Sequence, residues 1–181
     1  MTSRLILICL LFSVSLFAQH PKRELRGVWI ATVQNIDWPS PRNYNAIKQQ
    51  EEFLDILNSH QQTGINALFV QVRTAADALY AKGDEPWSSY LSGLQGQAPK
   101  PNYDPLAFMI QESHARGIEF HAWLNMNRAS MSTKNLLSGN HIVRQHPEWM
   151  VIYNNQHLFN FGIPAVRHYI TQVVKNIVQQ Y

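Results

Sequence analysis

Three short apolar runs alternate with amphipathic segments along most of the chain. The runs Leu25–Val33, Ile65–Val72 and Ile118–Leu124 are rich in β-branched residues and almost continuously apolar, which is typical of strands buried on both faces. A segment with helical spacing of apolar residues follows each run. These segments are 47–63, 105–116 and 164–181. The pattern therefore predicts three strand–helix units in succession.

The connections between these elements are unequal in length. Gly64 and Gly117 end the first two helices, and the next strand begins at once, whereas long loops separate each strand from the helix that follows it. Asp104 and Pro105 are typical of a helix start. The long loops therefore all follow the carboxyl ends of the strands. This is typical of α/β proteins, whose functional face lies at that end of the strands.

No glycine-rich phosphate loop follows any of the strands, and this bears on the choice between a doubly wound sheet and a barrel. Neither Gly-x-Gly-x-x-Gly nor Gly-x-x-x-x-Gly-Lys occurs in such a position, which weakens a nucleotide-binding doubly wound sheet. We therefore expect a (β/α)8 TIM-type barrel, of which about the first three βα units are present, and no cofactor.

Residues 1–18 form a separate unit that resembles a secretory signal peptide. Arg4 precedes an apolar stretch, Leu5–Phe17, which is short for a membrane span, and Ala18 precedes polar chain. Cleavage after Ala18 predicts a mature chain of residues 19–181, exported to the periplasm or beyond, with no stable membrane anchor. The sole cysteine, Cys9, lies in this segment, so the mature chain is expected to use no disulfide or thiol chemistry.

Composition and charge narrow the classes of partner. Hydrophobic residues make up 45% of the chain, enough for a substantial core, and the formal net charge is only +3 with scattered basic residues. This distribution argues against nucleic-acid binding. The eight histidines show no metal-ligand spacing on a predicted helix, so no metal site is expected.

The long loop after the second strand carries several candidate ligand contacts. Tyr80, Trp87 and Tyr90 offer flat apolar surfaces suited to sugar rings, while Arg73 and Asp77 offer directional hydrogen bonds to hydroxyl groups. The alternative is that the aromatic residues pin the loop to the rim of the barrel. Either interpretation fits a loop of this length with so many aromatic residues.

The third strand places polar side chains on one face. The two-residue strand period puts His121, Trp123 and Asn125 on the side that would face a barrel lumen, and Arg128 follows just beyond. A buried polar group in that position needs a partner, which is either substrate or a neighbouring side chain. His121 alone is also compatible with a satisfied core histidine.

Asp37 and Trp38 follow the first strand and complete the set of candidate substrate-binding residues. Asp37 has the chemistry of an acid or base, but Asp-Trp-Pro-Ser is also a good turn sequence. Both interpretations remain open from the sequence.

Five blocks in order resemble the family 10-like glycosyl hydrolases, a bacterial group formerly known as a domain of unknown function. The blocks lie within 24–40, 70–88, 103–108, 117–125 and 146–167, with Phe161 where Pro is expected. The resemblance covers essentially the whole predicted mature chain. It implies a TIM-type barrel that acts on glycosidic bonds, and for exported members a peptidoglycan glycan strand or another polysaccharide as partner.

The resemblance also implies that the catalytic carboxylates lie on strands beyond Tyr181. Glycoside hydrolysis ordinarily uses two carboxyl groups about 5–10 Å apart, and no convincing pair projects from the predicted strands of this chain. We therefore expect the chain to carry half of a sugar-binding rim without the catalytic centre, and to leave sheet edges unpaired. The alternatives are a glycan-binding fragment that does not cleave, and a complete small α/β enzyme of another chemistry.

Overall fold

The computed structural model describes residues 24–181, so the predicted signal segment lies outside the described residues. The strands are β1 (Gly27–Ile30), β2 (Ala67–Arg73), β3 (Glu119–Leu124), β4 (Arg128–Ser130), β5 (Met150–Tyr153) and β6 (Gln156–Phe159). The α-helices are α1 (Ala46–Gln62), α2 (Ser89–Ser92), α3 (Pro105–Ala115), α4 (Ile142–Gln145) and α5 (Pro164–Gln180). Short 3-10 turns cover Val33–Asn35 and Pro147–Trp149.

The three predicted strands form one parallel sheet in the order β1-β2-β3. Gly27 pairs with Ala67, and Ala67 pairs with Glu119, so the strands start at the same level. The strand–helix order and the parallel pairing confirm the predicted α/β class. β1 is shorter than expected, because a 3-10 turn with Gln34 in the left-handed region (φ 55°) replaces the end of the predicted run.

The main core lies between this sheet and the long helices. Ile30, Leu68 and Val70 point from the sheet into a buried cluster that includes Leu57 of α1 and Met109 of α3. Burying such aliphatic side chains contributes about 1.5–3 kcal/mol each to stability. Because side chains alternate between the two faces of a strand, the residues predicted to line a lumen lie on the face of the sheet opposite to this core.

The predicted helix boundaries have a clear physical basis. The Asp104 side chain accepts a hydrogen bond from the Ala107 amide, and Pro105 occupies the first turn of α3. Gly64 and Gly117 adopt φ values of 79° and 69°, the left-handed conformation that ends a helix at little cost for glycine. The helices of the three units thus begin and end close to the predicted positions.

A second sheet was not anticipated from the sequence. The segment between β3 and α5, predicted as a polar and aromatic loop, contains an antiparallel sheet in the order β4-β6-β5. Asn154 and Asn155 join β5 to β6 with φ values of 47° and 59°, as a type I′ hairpin turn requires. The Asn-Asn pair between two apolar runs was the signal for this hairpin.

The inner face of the parallel sheet is rich in aromatic side chains. Trp29 stacks on Phe69 with ring centroids 4.9 Å apart, and Phe69 stacks on His121 at 4.6 Å. Trp29 is 60% exposed. Within residues 24–181, β1 and β3 each pair on one side only, as expected for part of a barrel. No helix in this part of the chain is both long and apolar enough to cross a membrane.

Candidate functional site

A buried ion pair holds the loop that follows β2. Arg73 ends β2, and its Nε and Nη2 donate to the two carboxylate oxygens of Glu85 at 2.7 and 2.6 Å. The side chains are 0% and 3% exposed. The Tyr169 hydroxyl of α5 also donates to Glu85 at 2.7 Å, and that of Tyr80 does so at 3.3 Å. The network therefore ties β2, its loop and α5 together.

The electrostatics of this network favour the charged pair. Burial alone would raise the pKa of Glu85, but the Arg73 guanidinium and the hydrogen bonds from Arg73 and the two tyrosines hold it below its ordinary value. Burial and the Glu85 charge raise the pKa of Tyr80 and of Tyr169 well above that of free tyrosine. Glu85 is therefore ionised at neutral pH and its oxygens are occupied, so it is poorly placed to act as a general acid.

Stability is expected to fall in acid because of Glu85. Its folded-state pKa lies below the unfolded value of about 4.3, so its contribution is complete above that value and is lost as the pH falls through the folded-state pKa. Urea unfolding at pH steps from 7 to 3 measures this loss. His141 has a pKa lowered by burial, so its own contribution is lost earlier, below about pH 6.5. A decline that is complete by pH 5 would contradict the role given to Glu85.

Arg73 also fixes the end of β3. Its Nη1 donates to the Asn125 carbonyl, and the Asn125 amide donates to the Arg73 carbonyl at 3.0 Å. The Asn125 side chain accepts a hydrogen bond from the Trp123 indole at 2.9 Å and donates to the Thr74 carbonyl at 3.2 Å. The polar groups of the Asn125 side chain therefore have partners within the protein, which was one of the two possibilities that the sequence left open.

Two of the residues predicted to contact a sugar, Arg73 and Tyr80, lie buried in this network. Arg73 has no exposed surface and Tyr80 is 3% exposed, and both direct their polar groups at Glu85. Neither side chain is available to a ligand in this arrangement, because its polar atoms already have partners within the protein. Both residues hold the rim in place, which was the alternative interpretation for the aromatic residues of this loop.

Trp38, a third predicted sugar contact, is also buried. The side chain is 0% exposed, its indole N–H donates to the Gln49 carbonyl at 2.8 Å, and its ring packs edge-on against Phe53. The neighbouring Asp37 is exposed, and its carboxylate accepts a hydrogen bond from the Ala31 amide at 2.7 Å. Trp38 thus belongs to the core, and Asp37 closes the turn after β1.

A cavity of about 400 Å³ lies at the carboxyl ends of the parallel strands. Loops that follow β1, β2 and β3 all contribute to its wall, as expected for the active face of a barrel. Its polar lining includes Gln34, Asp77, Tyr90, Gln95, Ser130 and Asn135. Its apolar lining includes Leu94, Met131, Leu136 and Leu137.

Asp77 is a predicted site residue that lines this cavity. It is 4% exposed, and its Oδ1 accepts hydrogen bonds from the Thr74 hydroxyl at 2.6 Å and the Ala75 amide at 3.1 Å. The local loop therefore fixes the direction of the carboxylate. Asp77 is also the only acidic residue in the cavity wall formed by the described residues.

The structure places Trp87, His121 and Arg128 in three different surroundings, and none of them lines the cavity. Trp87 is half-buried and packs against the main core. His121 is exposed on the inner face of the sheet, 3.4 Å from the Glu119 carboxylate. The Arg128 guanidinium lies 3.3 Å from the Met131 sulfur, and Met131 lines the cavity. The candidates are therefore not gathered at one place, and Asp77 and Tyr90 are the two among them that line the cavity.

Tyr169 was missed from the sequence, whereas Tyr90 was among the aromatic residues predicted to contact a sugar. Tyr90 lines the cavity, and Tyr169, which lies 84 residues beyond Glu85, completes the ion-pair network from α5. Tyr169 lies within a helix far along the chain from the loop after β2, so no local pattern indicated its role. Within residues 24–181, no group of three or more His, Cys, Asp or Glu residues could hold a metal ion.

Comparison with known proteins identifies the group to which this chain is related. A family model described as glycosyl hydrolase-like 10 matches residues 24–181. The chain is 46% identical over 161 residues to a protein named glycosyl hydrolase YngK from Bacillus subtilis (strain 168), covering 88% of this chain and 31% of that protein. It is 35% identical over 180 residues to glycosyl hydrolase DigH from Escherichia coli (strain K12), covering 90% and 40%. The chain thus spans a third to two fifths of these relatives.

Solved structures support the same fold at low sequence identity. A maltogenic alpha-amylase from Thermotoga neapolitana superposes with a TM-score of 0.54 at 12% identity, covering 86% of this chain and 36% of that one. An alpha-galactosidase from Lactobacillus brevis superposes with a TM-score of 0.51 at 15% identity, covering 86% and 19%. These likenesses confirm the predicted TIM-type barrel architecture, of which β1 to β3 form a part. The chain therefore belongs to the glycosyl hydrolase-like 10 family, as the five sequence blocks indicated.

Proposed function

We propose that this chain supplies the glycan-binding side of a site that acts on the glycosidic bonds of a polysaccharide or a peptidoglycan glycan strand. The observation that carries the proposal is the cavity at the carboxyl ends of β1 to β3, in a chain that belongs to a glycosyl hydrolase-like family. Ligands of barrel enzymes bind at that end of the strands. The polar and apolar groups of the lining, with Asp77 among the polar ones, suit sugar hydroxyl groups and ring faces.

We further propose that the catalytic carboxylates lie outside the described residues. Cleavage of a glycosidic bond ordinarily uses two carboxyl groups, and the described wall of the cavity contributes Asp77 alone. Glu85 does not supply the second, because its oxygens bind Arg73 and Tyr169. The chain by itself is accordingly proposed to hold a glycan without cleaving it. Export by the segment 1–18 is part of this proposal and would bring the protein to such a glycan.

Tyr90→Ala is expected to weaken glycan binding by the full chain. Tyr90 is half-buried in the cavity wall, and loss of its ring removes the largest aromatic surface there. Retention on insoluble peptidoglycan and on insoluble polysaccharide measures the effect, which we expect to be on the order of tenfold for a contact of about 1.4 kcal/mol. No new reducing ends should form with either protein.

Tyr153→Ala is the matched control, because Tyr153 is 70% exposed on β5 and does not line the cavity. It should be retained as the unaltered chain is. Trp87→Ala tests the original sequence prediction in the same assay. Equal retention of the Tyr90→Ala variant and the unaltered chain would contradict a glycan site in this cavity, and release of reducing ends would contradict the assignment of binding without cleavage.

A further inference from the structure

One oxygen of the Asp77 carboxylate has no partner among the described residues. Oδ1 accepts both intraloop hydrogen bonds, from Thr74 and Ala75, whereas Oδ2 accepts none. Within residues 24–181, no side-chain nitrogen or oxygen atom of a buried or half-buried residue is both inaccessible to solvent and without a hydrogen-bond partner. Oδ2 is therefore accessible, and since Asp77 is 4% exposed and lines the cavity, the accessible atom faces the cavity.

The Asp77 carboxylate also lacks a cationic partner. No lysine, arginine or histidine in the described part of the chain forms an ion pair with it. A carboxylate oxygen that is shielded from bulk water gains most from a hydrogen-bond donor, and a hydrogen bond to a charged group is stronger than one between neutral groups. The cavity therefore presents a fixed acceptor to whatever enters it.

The rest of the wall limits the shape of the donor molecule. Tyr90 and Leu94 add apolar surface to the same cavity, and Gln34 and Gln95 add neutral polar groups. A pyranose ring matches this combination, because its edge carries hydroxyl donors while its faces are largely C–H. A purely apolar ligand would leave the Asp77 oxygen without a donor.

We propose that Asp77 is a specificity-determining residue of this cavity, with its Oδ2 accepting a hydrogen bond from a hydroxyl or amide N–H group of a neutral pyranose unit. The inference rests on the proposed glycan site and adds the atom that selects the sugar and the orientation in which the sugar binds. The donor edge of the ring points at Asp77, and one ring face lies towards Tyr90.

Asp77→Asn separates this role from the structural one. The amide oxygen can keep the bonds from Thr74 and Ala75, while the amide nitrogen replaces Oδ2 and presents a donor in place of an acceptor. The loop is therefore expected to stay folded, with an unchanged urea midpoint, and only the polarity of the cavity should change. Asp55→Asn is the matched control, because Asp55 is exposed on α1.

Titration of the full chain with two neutral oligosaccharides, cellotetraose and the tetramer of N-acetylglucosamine, tests the inference. Calorimetry or saturation-transfer NMR should show binding of at least one tetramer, weakened on the order of tenfold or more by Asp77→Asn and unchanged by Asp55→Asn. Binding that Asp77→Asn leaves intact, with Tyr90→Ala still weakening it, would overturn the role of Asp77 alone. Binding of neither tetramer, and of no insoluble glycan, would overturn the proposed function and this inference with it.

Discussion

Glu85→Gln is expected to lower the free energy of unfolding by about 3–5 kcal/mol, because it leaves the Arg73 guanidinium buried without its counter-charge. Burial opposes the charged form of Arg73, and the Glu85 carboxylate is what raises the pKa of Arg73 above its ordinary value. The neutral amide offers one acceptor where the carboxylate offers two. Urea denaturation followed by circular dichroism measures the loss.

Glu112→Gln provides the control for the ion-pair prediction. Glu112 of α3 pairs with Arg116, the residue that follows the end of this helix, with side chains 24% and 19% exposed, so the effect should stay below about 1 kcal/mol. A double replacement of Arg73 and Glu85 by methionine should recover part of the stability that Glu85→Gln removes, because it removes the unpaired charge. Equal losses for Glu85→Gln and Glu112→Gln would contradict the importance of the buried network.

The parallel sheet and its three long helices could be predicted from local sequence patterns. Apolar runs alternate with amphipathic segments, Asp104 and Pro105 begin one helix, and glycine ends two helices. Each of these signals involves only residues that are close together in the sequence. Such features can be read without tertiary information. The strands β4, β5 and β6 have only three or four residues each, which is too few to show a strand period, so the Asn154-Asn155 pair was the only local signal for the hairpin that β5 and β6 form.

The candidate site was less accessible to sequence reasoning, because its residues meet across long separations. Residue type indicated that Arg73, Asp77 and Tyr80 were important, but only the fold shows that Arg73 and Tyr80 bind Glu85 while Asp77 faces a cavity. Tyr169 comes from another element altogether. Polar residues at strand ends thus indicate where a site is, while burial and hydrogen-bond partners decide which of them remain available to a ligand.

Trp38 shows the same distinction in a form that can be measured. Trp38→Ala is expected to lower the free energy of unfolding by about 3–5 kcal/mol, because it empties a fully buried position against Phe53 and removes the hydrogen bond to the Gln49 carbonyl. Trp29→Ala is the matched control, since Trp29 is 60% exposed and its loss should cost less. Urea denaturation of the three proteins gives the comparison.

Trp38→Phe then separates stability from ligand contact. Phenylalanine keeps an aromatic ring in the core and loses only the indole N–H and part of the volume, so the loss of stability should be smaller than for alanine. Because Trp38 has no exposed surface, the Trp38→Phe variant should bind glycans with unchanged affinity at temperatures where it is folded. Normal unfolding of this variant combined with lost glycan binding would restore Trp38 to the binding surface. The opposite pattern, reduced stability with intact binding, follows from a tryptophan that supports the cavity from the core without touching its contents.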